Sequence, residues 1–117
     1  MPTGTYHNPD KRHLHIVCTD PDDKGQIVLV PVSTWTNDLC DSTCILLKHE
    51  HPWLWKPKSY VYYRKADFFE TVAIERGLAS GDLEEQARCN DQVFLRVLNG
   101  LCNSPNTPKK IKRAIGC

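Results

Sequence analysis

The chain has 117 residues, 40% of them hydrophobic and 25% charged, and a formal net charge of +1. This length suits one domain over residues 1–117 that buries a core without a metal or a disulfide, and the composition excludes a disordered chain. The first residues lack a basic stretch followed by an apolar run, and the longest apolar segment, residues 27–32, is too short to cross a bilayer. We therefore expect a cytoplasmic protein with no membrane partner.

The six cysteines are fewer than a short secreted disulfide scaffold carries, so we interpret them as reduced thiols. Cys117 is a terminal thiol that could form bonds between molecules in air. Cys40, Cys44, His49 and His51 offer two thiolates and two imidazoles, a set that can bind zinc. The three residues between the two cysteines favour buried free thiols instead, so we expect no metal or other cofactor, although the sequence leaves this zinc site open.

In chain order, residues 1–12 are predicted to be an irregular arm, followed by a β-rich part over residues 13–75. Residues 13–18 and 26–32 are rich in β-branched side chains, and the turn residues between them predict a hairpin. The second run is nearly all apolar, which indicates a central strand covered on both faces. Residues 43–47 and 60–64 are the third and fourth predicted strands.

Two segments of the β-rich part are less regular. The loop over residues 53–58 holds two tryptophans beside prolines, and we expect it to be ordered and to cap one end of the core. Residues 68–73 fit either a fifth strand or a short helix.

Residues 76–117 are predicted to be the helical part, which gives a mainly β domain with C-terminal helices, of the α+β class. Asn90 or Asp91 is the expected N-cap of an amphipathic helix, and Thr107-Pro108 starts a shorter helix whose Ile111 and Ile115 face the core. The apolar residues of the first helix recur at helical spacing: Val93, Phe94, Val97, Leu98 and Leu101. Residues 109–117 carry four cations and no acid, which suits either a solvated helix face or contacts with phosphates.

Two short motifs resemble the first part of the MazF/PemK-like toxin family. One is the strand that runs into a proline, Ile-Val-Cys-Thr-Asp-Pro at residues 16–21, and the other is Val-Leu-Val-Pro-Val-Ser-Thr at residues 28–34. Residues 59–64 take the place of the family's later substrate-site strand, and residues 91–101 that of its C-terminal helix. The resemblance implies a small SH3-like barrel of about five strands, usually a homodimer. It also implies a metal-free endoribonuclease for single-stranded RNA, with an antitoxin protein as partner.

The chain departs from the family where Leu14-His15 stands in place of the usual Arg-Pro pair. Metal-free RNA cleavage needs a base, an acid and a group that stabilises charge on the phosphate. His13 and His15 share a strand face and titrate near neutral pH, and Arg64 can hold a phosphate. We expect His15 and Arg64 to be the principal catalytic pair, with His13 as a further candidate.

Five residues are the predicted substrate contacts. Ser33 and Thr34 can donate hydrogen bonds to a phosphate, and Tyr60 or Tyr62 can stack on a base, with Ser59 at the start of the same segment.

Each of these residues also has a structural interpretation. Strand histidines often hydrogen-bond to neighbours, tyrosines often pack in a core, and a Ser-Thr pair often closes a turn. The alternative is therefore a non-catalytic SH3-like module that binds a protein or a nucleic acid through the tyrosine strand and the loop of Trp53 and Trp55.

Overall fold

A computed structural model describes residues 5–8, 13–86 and 88–117, with side chains from Leu14 onward. The strands are β1 (Thr5–Asn8), β2 (His13–Val17), β3 (Gln26–Thr34), β4 (Ile45–Leu47), β5 (Lys58–Val61), β6 (Asp67–Glu70) and β7 (Glu84–Gln86). The helices are α1 (Thr71–Ser80), α2 (Asp91–Asn103) and α3 (Lys109–Ile115), with short 3-10 helices at Lys48–Glu50 and Tyr63–Lys65.

The strands form one antiparallel sheet in the order β4-β5-β3-β2-β1-β7, with β6 paired to β3. The long strand β3 pairs with β6 through residues 26–29 and with β5 through residues 32–34. The predicted α+β class is confirmed. Among the described strands, no pairing joins β4 to β7, so the expected closed barrel stays a prediction.

The core lies on both sides of β3, as its apolar sequence indicated. Val28, Val30 and Val32 belong to a cluster that includes the buried side chains of α2 and α3. Ile27 and Leu29 belong to a second cluster, which includes Ile74 of α1. The central, doubly covered strand is therefore confirmed.

The expected irregular arm is wrong for residues 5–8, because β1 pairs with β2 on one side and with β7 on the other. Thr5 and Tyr6 favour a strand, and backbone pairing to two partners extends it to Asn8. For residues 68–73 both alternatives hold in part, since β6 ends at Glu70 and α1 begins at Thr71. The predicted fourth strand ends at Val61, and Tyr63 begins a 3-10 helix.

The two last helices form as predicted, but α3 begins at Lys109 with Pro108 as its N-cap, so the predicted start at Thr107-Pro108 is wrong by one residue. The prediction of helix alone over residues 76–117 is also wrong, because β7 lies there and pairs with β1. The Asn90 side chain accepts a hydrogen bond of 2.8 Å from the amide of Val93, which confirms it as the N-cap of α2. Ile111 is fully buried and Ile115 packs against the same core. None of the helices in the described ranges is long and apolar enough to cross a membrane.

The interpretation of all six cysteines as reduced thiols is wrong for two of them. Cys102 and Cys117 form a disulfide, with their Cα atoms 5.6 Å apart. The reason is that α3 packs on the core through Ile111, which brings the end of the chain back to the end of α2. Cys18, Cys44 and Cys89 are free and buried, and burial raises the pKa of each thiol. Cys40 is free but only half-buried, so the expected buried pair of Cys40 and Cys44 is confirmed for Cys44 alone.

Candidate nucleic-acid interface

A group of aromatic and basic side chains lies at the β3–β5 end of the sheet, and we call it the tyrosine face: Ser33, Trp35, Lys58, Tyr60 and Tyr62. Ser33 lies directly opposite Tyr60 in the sheet, so the two share one face. The Tyr60 ring centroid lies 6.0 Å from that of Trp35 and 5.5 Å from that of Tyr62. The Lys58 ammonium lies 4.1 Å from the centroid of the Trp35 ring. The three rings therefore follow one another with a cation at one end.

A groove with a volume of about 270 Å³ adjoins the tyrosine face. Tyr60 and Tyr62 line it together with Arg64, Asn106 and the loop over residues 36–41. Arg64 is exposed, and its guanidinium donates a hydrogen bond of 3.5 Å to the Asn106 side chain. A second cation therefore lies at the Tyr62 end of the aromatic series.

The loop side of the groove holds a thiol and a carboxylate. The Thr36 hydroxyl lies 3.5 Å from Cys40 Sγ, and this bond, with the nearby backbone amides, lowers the pKa of the Cys40 thiol to about 7. Burial raises the pKa of Asp41, but hydrogen bonds from Ser104 and Thr43 outweigh it, and the pKa is lowered. Asp41 therefore stays ionised and places a negative charge in the wall of the groove, where its oxygens already accept these hydrogen bonds.

His15 and Arg64, the predicted catalytic pair, lie on opposite sides of the tyrosine face. His15 lies opposite Pro31 in β3, and the Tyr62 amide donates to the Pro31 carbonyl at 2.8 Å, so these three residues form a row across the sheet. At the usual strand spacing, the Cα of His15 is about 10 Å from that of Tyr62. The His15 ring contacts Phe69, with centroids 6.4 Å apart, whereas Arg64 contacts Asn106.

The other predicted contacts divide between the two faces of the sheet. Ser33 is on the tyrosine face, but its neighbour Thr34 is exposed on the opposite face, since successive strand residues alternate. Ser59 lies opposite Leu46 and is buried, with 5% of its surface exposed. The His13 side chain lies outside the described residues, and its backbone pairs with Asn8.

The residues considered for zinc do not converge. His51 stacks on Trp53, with ring centroids 4.3 Å apart, and its Nε2 accepts a hydrogen bond of 2.8 Å from the Asn90 amide. Cys44 is buried in the core and His49 is exposed. Within residues 5–8, 13–86 and 88–117, no group of three or more His, Cys, Asp or Glu side chains is placed to hold a metal.

Sequence reasoning missed Trp35, Lys58 and Asn106. Lys58 is two residues before Tyr60, and Trp35 is two residues after Ser33, so each lies on the same face as its partner. Predicted strands that extended to residues 58 and 35 would have placed both side chains on the tyrosine face. The contact between Arg64 and Asn106 joins residues 42 positions apart, and no local pattern signals it.

The fold and this face define a small α+β domain with an aromatic, cationic sheet surface. No family model matches the chain, and no match was found among curated proteins or solved structures. The likeness to MazF/PemK-like toxins therefore rests on the two short sequence motifs alone.

Proposed function

We propose that this protein binds single-stranded RNA on the tyrosine face and cleaves it without a metal. The observation that carries the proposal is the series of rings Trp35, Tyr60 and Tyr62, with Lys58 at one end and Arg64 at the other. Tyr60 is buried, with 8% of its surface exposed, so the half-buried rings of Trp35 and Tyr62 on either side of it are the ones that bases can reach. Aromatic rings stack on unpaired bases, and cations contact the phosphates between them. Single-stranded RNA fits this arrangement because the faces of its bases are accessible, as they are not in a duplex.

The cleavage step requires groups for proton transfer and for the phosphate charge. His15 can take the proton of the 2′-hydroxyl as the 2′-oxygen attacks the phosphorus and forms a 2′,3′-cyclic phosphate. The bond from phosphorus to the 5′-oxygen breaks, solvent water supplies the proton to this leaving oxygen, and Arg64 can stabilise the charge that develops on the phosphate. Both residues lie at the border of the same sheet face. An RNA strand that follows the row of His15, Pro31 and Tyr62 therefore reaches from His15 to Arg64. On this proposal the protein is a toxin-like endoribonuclease, with an antitoxin and a second copy of the chain as its expected partners.

A non-catalytic RNA-binding module is the second candidate, and the positions of the two catalytic candidates favour it. His15 contacts Phe69 and Arg64 contacts Asn106, rather than each other. In this case the tyrosine face would bind RNA and leave it intact.

Binding is tested by fluorescence anisotropy with labelled oligouridine. Stacking contributes about 1–3 kcal/mol per base, so Tyr62→Ala should weaken binding about 5- to 150-fold, and Tyr62→Phe should bind like the wild type. Leu95→Ala is the matched control, because Leu95 is an exposed apolar residue on α2, 58% exposed. Equal affinities for Tyr62→Ala and Leu95→Ala would refute binding at this face.

Cleavage is tested separately, with end-labelled RNA in the presence of a metal chelator. Loss of a general base typically slows a reaction about 10²- to 10⁴-fold, and loss of a group that stabilises transition-state charge slows it about 10²- to 10³-fold. His15→Ala and Arg64→Ala should therefore each leave the RNA largely intact while the wild type cuts it. Cleavage by both variants at the wild-type rate would show that the catalytic pair is wrong. Binding without cleavage by the wild type would establish the non-catalytic module.

A further inference from the structure

The C-terminal part of the chain carries unbalanced positive charge. Residues 92–117 contain no Asp or Glu. Two of their cations have acidic partners, since Arg96 pairs with Glu50 and Lys110 pairs with Asp67. Among the described residues, the other three have no carboxylate partner: Lys109, Lys112 and Arg113.

These three cations share one side of α3. Lys109, Lys112 and Arg113 are three and four positions apart, which places them together on a helix, whereas Ile111 and Ile115 pack against the core. Lys109 and Arg113 are exposed, and Lys112 is half-buried. We call this side the basic face of α3.

The basic face of α3 begins close to the groove. Asn106 lines the groove and accepts the hydrogen bond from Arg64, and α3 starts three residues later, at Lys109. Asn106 is itself held in place, because its side chain donates to Asp41 at 3.2 Å and its amide donates to the Ser104 hydroxyl at 3.1 Å. The passage from the groove to the start of α3 is therefore short and ordered. Because α3 packs with Val28, Val30 and Val32 on the side of the sheet opposite the tyrosine face, an RNA strand that reaches α3 crosses the sheet edge at Arg64 and Asn106.

We propose that the basic face of α3 continues the RNA-binding surface, so that one strand passes from Tyr62 over Arg64 and Asn106 onto α3. Lys109, Lys112 and Arg113 then contact the phosphates that follow the stacked bases. This inference rests on the proposed binding of RNA at the tyrosine face. A seven-residue helix is about 10 Å long, so α3 contributes to the binding of longer strands and not of the shortest ones.

The test compares two full-length double variants that each remove two cations. Lys112→Gln/Arg113→Gln changes the basic face of α3, and Lys24→Gln/Arg76→Gln is the matched control at the β2–β3 turn and on α1. The affinity of each is measured over a salt series with oligouridines of about 4 and about 12 nucleotides. Each lost phosphate contact on a single strand should reduce the slope of log K against log salt by about 0.7, hence by about 1.4 for the first variant with the long oligonucleotide.

The expected result is this reduction for the long oligonucleotide only, with the control variant unchanged. Equal slopes for the two double variants, or equal weakening for the short and the long oligonucleotide, would overturn the proposal. In either case Tyr62→Ala would still weaken binding if the tyrosine face is correct, so failure at α3 is distinguishable from failure of the proposed function.

A structural role for the cations is excluded by a further variant. Lys112 and Arg113 lie in the last turn of α3, where cations stabilise a helix, but Lys109 lies in the first turn, where a cation does not. Lys109→Gln should therefore leave the helix intact by circular dichroism and still reduce the salt slope by about 0.7. An unchanged slope in this folded variant would also overturn the proposal.

Discussion

Replacing Gly100 with alanine tests how the segment that carries Tyr62 and Arg64 is anchored. Between those two residues lies Tyr63, whose ring is fully buried and whose hydroxyl donates a hydrogen bond of 2.9 Å to the Val97 carbonyl of α2. A Cβ atom at Gly100 would lie 1.8 Å from the Tyr63 hydroxyl oxygen and 2.4 Å from ring carbon Cζ. The tyrosine or the helix must therefore move to accept even a methyl group.

Two opposing contributions determine the magnitude. Overpacking a core costs about 1–3 kcal/mol, and loss of the buried hydrogen bond costs about 1–3 kcal/mol more. Alanine is favoured over glycine inside a helix by about 1 kcal/mol. We therefore expect Gly100→Ala to lower the free energy of unfolding by about 1–5 kcal/mol, a large part of the stability of a small domain.

The assay is urea unfolding followed by circular dichroism. Asn99→Ala is the control, because Asn99 is the exposed neighbour on α2 and its replacement changes helix propensity alone. Tyr63→Phe removes the closest contact but leaves Cζ in place, so it should relieve only part of the cost of alanine at residue 100. If Gly100→Ala proves as stable as the wild type or more stable, the packing argument is refuted.

Three further predictions concern the thiols and a buried histidine. Iodoacetamide should alkylate Cys40 in the native protein with a half-maximal rate near pH 7, and a profile centred near the usual thiol pKa of about 8.5 would contradict the lowered value. Burial lowers the pKa of His51, so the unfolded chain binds a proton more readily than the native state does. The free energy of unfolding should therefore fall as the pH drops below about 6.5. His51→Gln should remove that fall, measured as the urea midpoint at successive pH values, and an unchanged pH dependence would point to other groups. Cys117→Ser removes the disulfide, which closes a loop with a sequence separation of 15 residues, and should lower the free energy of unfolding by about 3 kcal/mol in thermal unfolding. The reduced wild type should be equally destabilised, and a reductant that leaves unfolding of the wild type unchanged would contradict the prediction.

The sequence predicted those elements whose signals are local. The apolar run of β3, the Asn90 cap and the spacing of Ile111 and Ile115 each depend on neighbouring residues, and each is confirmed. Strand β1 was missed because its stability comes from pairing with β2 and β7. The disulfide of Cys117 was missed for a related reason, since only the packing of α3 brings the two sulfurs together.

The candidate site was predicted only in part, because a strand pattern gives the face of a residue but not its partners. Tyr60, Tyr62 and Ser33 were named from the sequence and lie together on one face. Ser59 was named from the same segment, but alternation turns it into the core. The groove itself depends on Asn106, which reaches Arg64 only after the C-terminal segment has packed.

The segment of Tyr62, Tyr63 and Arg64 connects the core to the candidate site. Tyr63 is fully buried, whereas Tyr62 is half-buried and Arg64 is exposed, so one short turn supplies both an anchor and two surface contacts. A change at Tyr63 should therefore alter stability and RNA binding together, because the anchor fixes the positions of its neighbours. Changes at Tyr62 or Arg64 should alter binding alone, since neither side chain is fully buried. That difference allows the contribution of the surface to be measured apart from the contribution of the fold.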